Sequence, residues 1–221
     1  MNQYGYDIQN VVTEALTSME AEHQKGRLVD APVANNHFLL RWMTKKIKDK
    51  QFPRSVQPDL IRWQKMGRSK GNQAQFPQLF ANIRAFYREI LPAEGQPVVA
   101  VTDNQIEAFL DAMEAQDWEV STSEPVVNQG KVQIFTEGQD SLVLCADQCS
   151  DNFEQEQLIK PMSWFVRGNH QAFISMAFEH GFLVHKVTDY KSNVKYHGEY
   201  LIFPNNLGDR LAEIPFSYRA Q

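Results

Sequence analysis

Seven cationic side chains carry the strongest chemical signal in this chain: Arg41, Lys45, Lys48, Arg62, Lys65, Arg68 and Lys70. They sit in a stretch, residues 41–70, that holds ten Lys or Arg against two acids, Asp49 and Asp59, for a net charge of +8. Most are spaced three or four apart, which on a helix puts neighbours on one face. Guanidinium and ammonium groups in such an array neutralise phosphates and release counterions, so the expected chemistry is salt-sensitive binding of a polyanion, DNA or RNA first. Two helices joined by a turn would present them much as a helix–turn–helix does, although the connection at 51–57 is long for that motif. The competing reading is a solvated helical surface, or one that docks on the acidic half of the chain.

Other groups compete with this one. The run GRSKGN at 67–72 has the glycines and cations of an anion-binding loop, but a helix C-cap followed by a tight turn explains both glycines without a ligand. Trp42 and Trp63 are of the type that stacks on bases, but their positions on amphipathic helices fit core packing. Cys145 and Cys149, with His170, His180, His185 and His197 downstream, have one zinc-compatible spacing but no second close pair, and Cys145 fits a core residue. Glu107, Asp111 and Glu114 share a helix face without a partner base. No nucleophile, zinc-protease or dinucleotide pattern occurs. The expectation is therefore a non-enzymatic protein with no metal and no cofactor.

Charge is divided unevenly. Residues 1–94 contain 14 basic and 9 acidic residues, net +5, whereas residues 95–221 contain 8 and 18, net −10. This favours an anionic partner for the first half, or a protein partner met by the carboxylates of the second. The 43% hydrophobic content fits a folded chain, and no apolar run approaches membrane-spanning length. Two cysteines and an N-terminus without a secretory pattern lead to an expected cytoplasmic location; oligomeric state is left open.

The elements that must position these groups follow from periodicity. Ile8, Val11, Val12, Ala15, Leu16 and Met19 form one stripe of a helix over 7–25, with Asp7 as cap. A loop over 26–36 leads to a helix over 36–50 with Phe38, Leu39, Trp42, Met43 and Ile47 inward and Arg41, Lys45, Lys46 and Lys48 on the other side. A third helix starts near Pro58 and stops at Gly67. A fourth, ending near Leu91, carries Leu79, Phe80, Ile83, Phe86, Tyr87 and Ile90 inward. Residues 92–97 read as a linker.

The second half changes to mixed structure: a strand at 98–101, a helix capped by Asp103 with Ile106, Phe109, Leu110 and Met113 inward, and a strand at 118–122. A hairpin at 132–146 is expected to turn on 137–140, followed by an irregular stretch over 147–168. A helix over 169–180 and strands at 182–188 and 195–203, joined by 190–194, complete it. Residues 108–120 echo residues 172–184 at an offset of 64. The fold class is therefore α+β: a helical bundle of about four helices over 1–92, then an acidic α+β module over 98–221 with two αββ units sharing one sheet.

The segments NNHFLLRW (35–42), DLIRWQKMGRSKGN (59–72) and AFYREIL (85–91) resemble an uncharacterised gammaproteobacterial family of unknown function. That resemblance covers mainly residues 35–90 and brings no activity and no catalytic residues with it. The leading expectation is an accessory or regulatory protein that binds a polyanion through the basic face. The alternative is a protein-interaction module or inhibitor acting through the acidic half.

Overall fold

Amphipathic segments with three-and-four spacing account for the helices of the first part of the chain. A computed structural model describes residues 3–92, 96, 99–189 and 191–218. Its chain divides into two compact units, one made of residues 1–95 with the later segment Asp209–Ile214, the other of Gln96–Gly208. The class is α+β, with helices first and a sheet-containing region after them.

In the first unit the helices are α1 (Tyr4–Gln24), α2 (Pro32–Lys48), α3 (Gln57–Lys70) and α4 (Phe76–Ile90). Ile8, Val11, Val12 and Ala15 of α1, Leu39 and Met43 of α2, Leu60 and Trp63 of α3, and Phe76, Phe80, Ile83 and Phe86 of α4 are buried. The first helix starts earlier than residue 7, with Gln3 rather than Asp7 at its N-cap. The second also starts earlier than expected, because Pro32 opens it rather than belonging to a loop. Proline suits the first helical turn, where its missing N–H has no intrahelical acceptor.

The third helix corrects the reading of the GRSKGN segment. Gly67 does not end it; α3 continues to Lys70, and a short 3-10 turn, Gly71–Ala74, follows. Gly67 is there for close approach: a Cβ would lie 2.7 Å from Phe76 Cε2 and 2.8 Å from Leu40 Cδ1. The stop is Gly71, whose φ of 54° suits a residue without a side chain. Buried Asn36 then ties this junction to α2, donating to the Gly71 carbonyl at 2.7 Å and accepting from the Phe76 amide at 2.9 Å. It thus satisfies one of the orphan donors that open α4. From the far end of the chain, the Ala212 amide donates to the Tyr87 hydroxyl at 3.0 Å.

In the second unit α5 (Asp103–Glu114) leads into β1 (Glu119–Ser121) and then β2 (Ser141–Leu144). Its cap is Thr102 rather than Asp103, in a reciprocal box with Gln105. Next come α6 (Ala146–Asp151), the pair β3 (Phe153–Glu154) and β4 (Gln157–Leu158), and β5 (Met162–Arg167). Helix α7 (His170–Glu179), capped by Asn169, precedes β6 (His185–Thr188) and β7 (Gly198–Ile202). The main sheet has the order β1-β2-β5-β7-β6. Both α5 and α7 pack on one face through Ile106, Phe109, Met113, Phe173, Ile174 and Ala177, against Leu142, Leu144, Trp164, Val166, Tyr200 and Ile202. On the other face Val143, Cys145 and Phe165 meet Val126 and Val194, with Val127, Val132 and Ile134 at the margin.

Three expectations for this unit are corrected. No hairpin forms over 132–146: β2 pairs in parallel with β1 and antiparallel with β5, while Val132 bonds to Asn193 and Lys195. Residues 147–168 are not irregular: they hold most of α6, the pair β3 and β4, and the central strand β5, buried from Met162 to Val166. Residues 99–101 form no strand, although Val101 bonds to Pro204 and Leu158. Val98, Tyr190 and residues 93–95 and 97 of the expected linker lie outside the described residues.

Candidate polyanion interface

Helix geometry decides where the seven cations point. At about 100° per residue, Arg41, Lys45 and Lys48 fall within about 60° of one another, opposite Leu39 and Met43. On α3, Arg62, Lys65 and Arg68 span about 120°, opposite Leu60, Trp63 and Gly67. All six are exposed, and so is Lys70, but Lys70 lies about 200° round the helix from Arg68 and off the stripe. The two stripes are neighbours, because the Gln64 side chain donates to Thr44 Oγ1 at 3.0 Å, with Lys45 and Lys65 next in sequence to that contact. Helix α2 contains no carboxylate, and the one acid of α3, Asp59, is turned inward and only 7% exposed. The outward surface of the two helices therefore carries positive charge alone.

Ion pairing sorts these cations. Among the described residues, Arg41, Lys45, Lys48, Lys65, Arg68 and Lys70 have no carboxylate within 4.0 Å. Arg62 is different: it donates to Asp59 at 2.7 Å. Asp59 also accepts from the buried Tyr4 hydroxyl at 2.6 Å, which links α1 to α3. Burial first, and then the Asp59 charge, push the Tyr4 phenol far above its ordinary range. Lys46 leaves the face altogether; it pairs with Glu14 and lies over the rings of Trp42 and Phe52, at 5.2 and 5.8 Å. Trp63 is 2% exposed and packs on Phe80, so it offers no ring to a base. Half-buried Trp42 is committed to Phe52 and Lys46.

Asp59→Ala removes the acceptor used by both Tyr4 and Arg62. It is expected to cost about 1–3 kcal/mol of stability in urea unfolding, the price of stranding a buried polar group. Because it also frees Arg62, it is expected to strengthen polyanion binding, so stability and affinity move in opposite directions.

The second unit does not assemble the sulfur and imidazole groups. Among the described residues, no three His, Cys, Asp or Glu side chains gather as metal ligands would. Burial raises the Cys149 thiol to about 11, which leaves it protonated and unreactive at neutral pH. Glu107, Asp111 and Glu114 are exposed on α5. A pair that the sequence reading missed is Ser141 with His197. The Lys195 carbonyl can only accept, so His197 donates to it from Nδ1 at 2.8 Å, and Nε2 takes the Ser141 hydroxyl at 3.0 Å. That is the arrangement of a nucleophile and its base. However, Ser141 is 0% exposed and His197 1% exposed, so the pair ties β2 to the turn before β7 and meets no solvent. Nothing in local spacing marks a contact between residues 56 apart.

His170, bonded through Nδ1 to the Tyr200 hydroxyl at 2.7 Å, is a half-buried imidazole of the same unit. Burial first, and then Lys186, hold His170 below its ordinary 6.5 against the pull of Asp189. Burial also lowers His197, with Arg167 and His170 adding to it and the Lys195 carbonyl opposing. Since both imidazoles bind protons less readily when folded, the unfolded chain takes up more protons as pH falls through about 6.5. Stability is thus expected to be full above that pH and to decline below it, more steeply in the native protein than in His197→Gln. Urea unfolding at a series of pH values between about 7.5 and 5 checks it.

A family model described as "Protein of unknown function (DUF2913)" matches residues 3–215. No curated protein and no solved structure matches the chain. Among the described residues, no helix is long and apolar enough to cross a membrane.

Proposed function

We propose that this chain, which belongs to the DUF2913 family of proteins of unknown function, is a nucleic-acid-binding accessory protein. Phosphates are met by Arg41, Lys45 and Lys48 of α2 and by Lys65 and Arg68 of α3, with Arg62 held in reserve by Asp59 and Lys70 contributing from the helix end. One observation carries this reading: two packed helices expose six cations free of carboxylate partners, and neither helix turns an acid outward, the exposed Asp49 lying just past the end of α2. An ordinary solvated helix intersperses both signs. With both tryptophans packed, the interface reads charge rather than bases, and binding depends weakly on sequence. The protein acts by binding, in an accessory or regulatory role, without a catalytic step or a cofactor.

Binding to a labelled DNA duplex, to single-stranded DNA and to RNA across a salt series tests it. Four or five phosphate contacts on duplex give a plot of log affinity against log salt with a slope of about −4. Absence of binding at low salt would refute the proposal and return the basic face to plain solvent contact or protein docking.

A further inference from the structure

The acidic unit has an open sheet edge, and what lines it is specific. Strand β1 sits at one end of the five-stranded order and pairs only with β2. The Glu119 amide donates to the Asp140 carbonyl at 3.1 Å, so Glu119 and Ser121 turn their backbone groups toward β2. By the alternation of a strand, Val120 and Thr122 turn theirs away from it. Neither has a hydrogen bond outside the β1–β2 ladder among the described residues.

Alongside this edge runs a groove of about 700 Å³. One wall is Trp118–Ser121, and the other is the extended segment 132–136, whose Phe135 is 87% exposed. Beyond Val132, which bonds to Asn193 and Lys195, residues 133–136 join no strand ladder. Glu114, Glu119 and Glu124 line the groove, and no Lys or Arg does. Thr136 also lines it, with a hydroxyl buried away from any hydrogen-bond partner.

We propose that this groove binds an extended, Lys- or Arg-bearing peptide segment of a partner protein, which adds to β1 as a sixth strand. The backbone of Val120 and Thr122 supplies the pairing. Phe135 covers an apolar side chain of the guest, and Glu114 and Glu124 meet its cations on the intervening positions. This is strand addition, in which main-chain bonds give affinity and alternate side chains give specificity. The charge of the lining selects the partner's sign, since a nucleic acid is repelled here and a basic segment is drawn in.

The test uses the full chain and a fluorescein-labelled seven-residue peptide alternating lysine and valine. Its expected binding is at least about tenfold tighter than that of the same peptide with glutamate for lysine. On binding, the amide exchange of Val120 and Thr122 is expected to slow at least about tenfold, as protection by a new strand requires. Glu114→Lys with Glu124→Lys, both on exposed side chains, is expected to reverse the preference between the two peptides. N-methylation of alternate peptide amides is expected to weaken binding in one register and spare it in the other. Equal binding of both peptides, or binding without protection of Val120 and Thr122, would overturn the proposal. Circular dichroism of the double variant confirms that the fold is retained.

Discussion

The quadruple variant Arg41→Glu, Lys45→Glu, Lys65→Glu and Arg68→Glu is expected to lose at least about a hundredfold in affinity for duplex DNA at about 0.1 M salt. The argument is additive. Each cation facing a phosphate contributes about 0.9 to the salt slope, so removing four flattens it toward zero, and the four added carboxylates repel the duplex as well. None of the four side chains is paired with an acid or buried in the core, so the fold is expected to survive and circular dichroism to be unchanged. Single reversals rank the sites. Lys65 and Arg68 are expected to cost more than Arg62, whose charge Asp59 already balances at 2.7 Å. Lys70→Glu is expected to cost less than either, because it lies off the stripe. A flat ranking, with all seven positions equal and small, would mean diffuse attraction to a positive body rather than an interface.

For stability the largest effect is expected from Phe109→Ala. The Phe109 ring stacks on Trp164 with centroids 5.1 Å apart and planes 7° from parallel. It also meets the edges of Phe173 and Phe182, at 6.3 and 5.5 Å. All four rings are buried at the join of α5, α7 and the sheet. Deleting such a ring leaves a cavity that its three rigid neighbours cannot collapse into, so the expected loss is about 3–5 kcal/mol. A domain's whole stability is about 5–15 kcal/mol, so this single change brings the second unit close to its unfolding threshold. Phe135→Ala is the matched control: the same deletion at an exposed ring is expected to stay within about 0.5 kcal/mol. Chemical denaturation followed by near-ultraviolet circular dichroism separates the two.

The four helices of the first unit were legible because each buries one stripe and leaves the other wet, and that pattern repeats locally. The same logic placed the cations: a Lys opposite Leu39 and Met43 on a helix has only solvent to face. Gly67 misled because glycine reads locally as a stop, whereas here it serves contact with Phe76 and Leu40, residues 9 and 27 positions away. Asn36 is similarly silent, since its capping partners belong to a different helix junction.

Strand β5 escaped notice for a different reason. Alternation marks a half-buried strand, but Met162 to Val166 are covered on both sides, polar Ser163 included, so their residue types show no period of two. Without β5, residues 132–136 are the nearest partner that local pattern offers β2, which is why the sequence points to a hairpin there. The parallel pairing of β1 with β2 is likewise a consequence of the sheet as a whole. The groove beside β1 follows from it and had no local mark beyond the excess of carboxylates.

The return of Asp209–Ile214 to the helical unit has a consequence for synthesis on the ribosome. The contact between Ala212 and Tyr87 closes a loop of 125 residues, with an entropic cost on the order of 4 kcal/mol if that loop were unstructured. The sheet-bearing segment Gln96–Gly208 is translated inside that loop. Helices α1–α4 therefore emerge first and wait, lacking their last contact, until some hundred further residues have left the exit tunnel. Once the inserted unit has folded, its own ends are fixed and most of the closure cost has already been met. Order of emergence thus makes the second unit a prerequisite for finishing the first. A release factor acting early, or a stall near residue 200, would leave a helical unit whose basic face is formed but whose closing segment is missing.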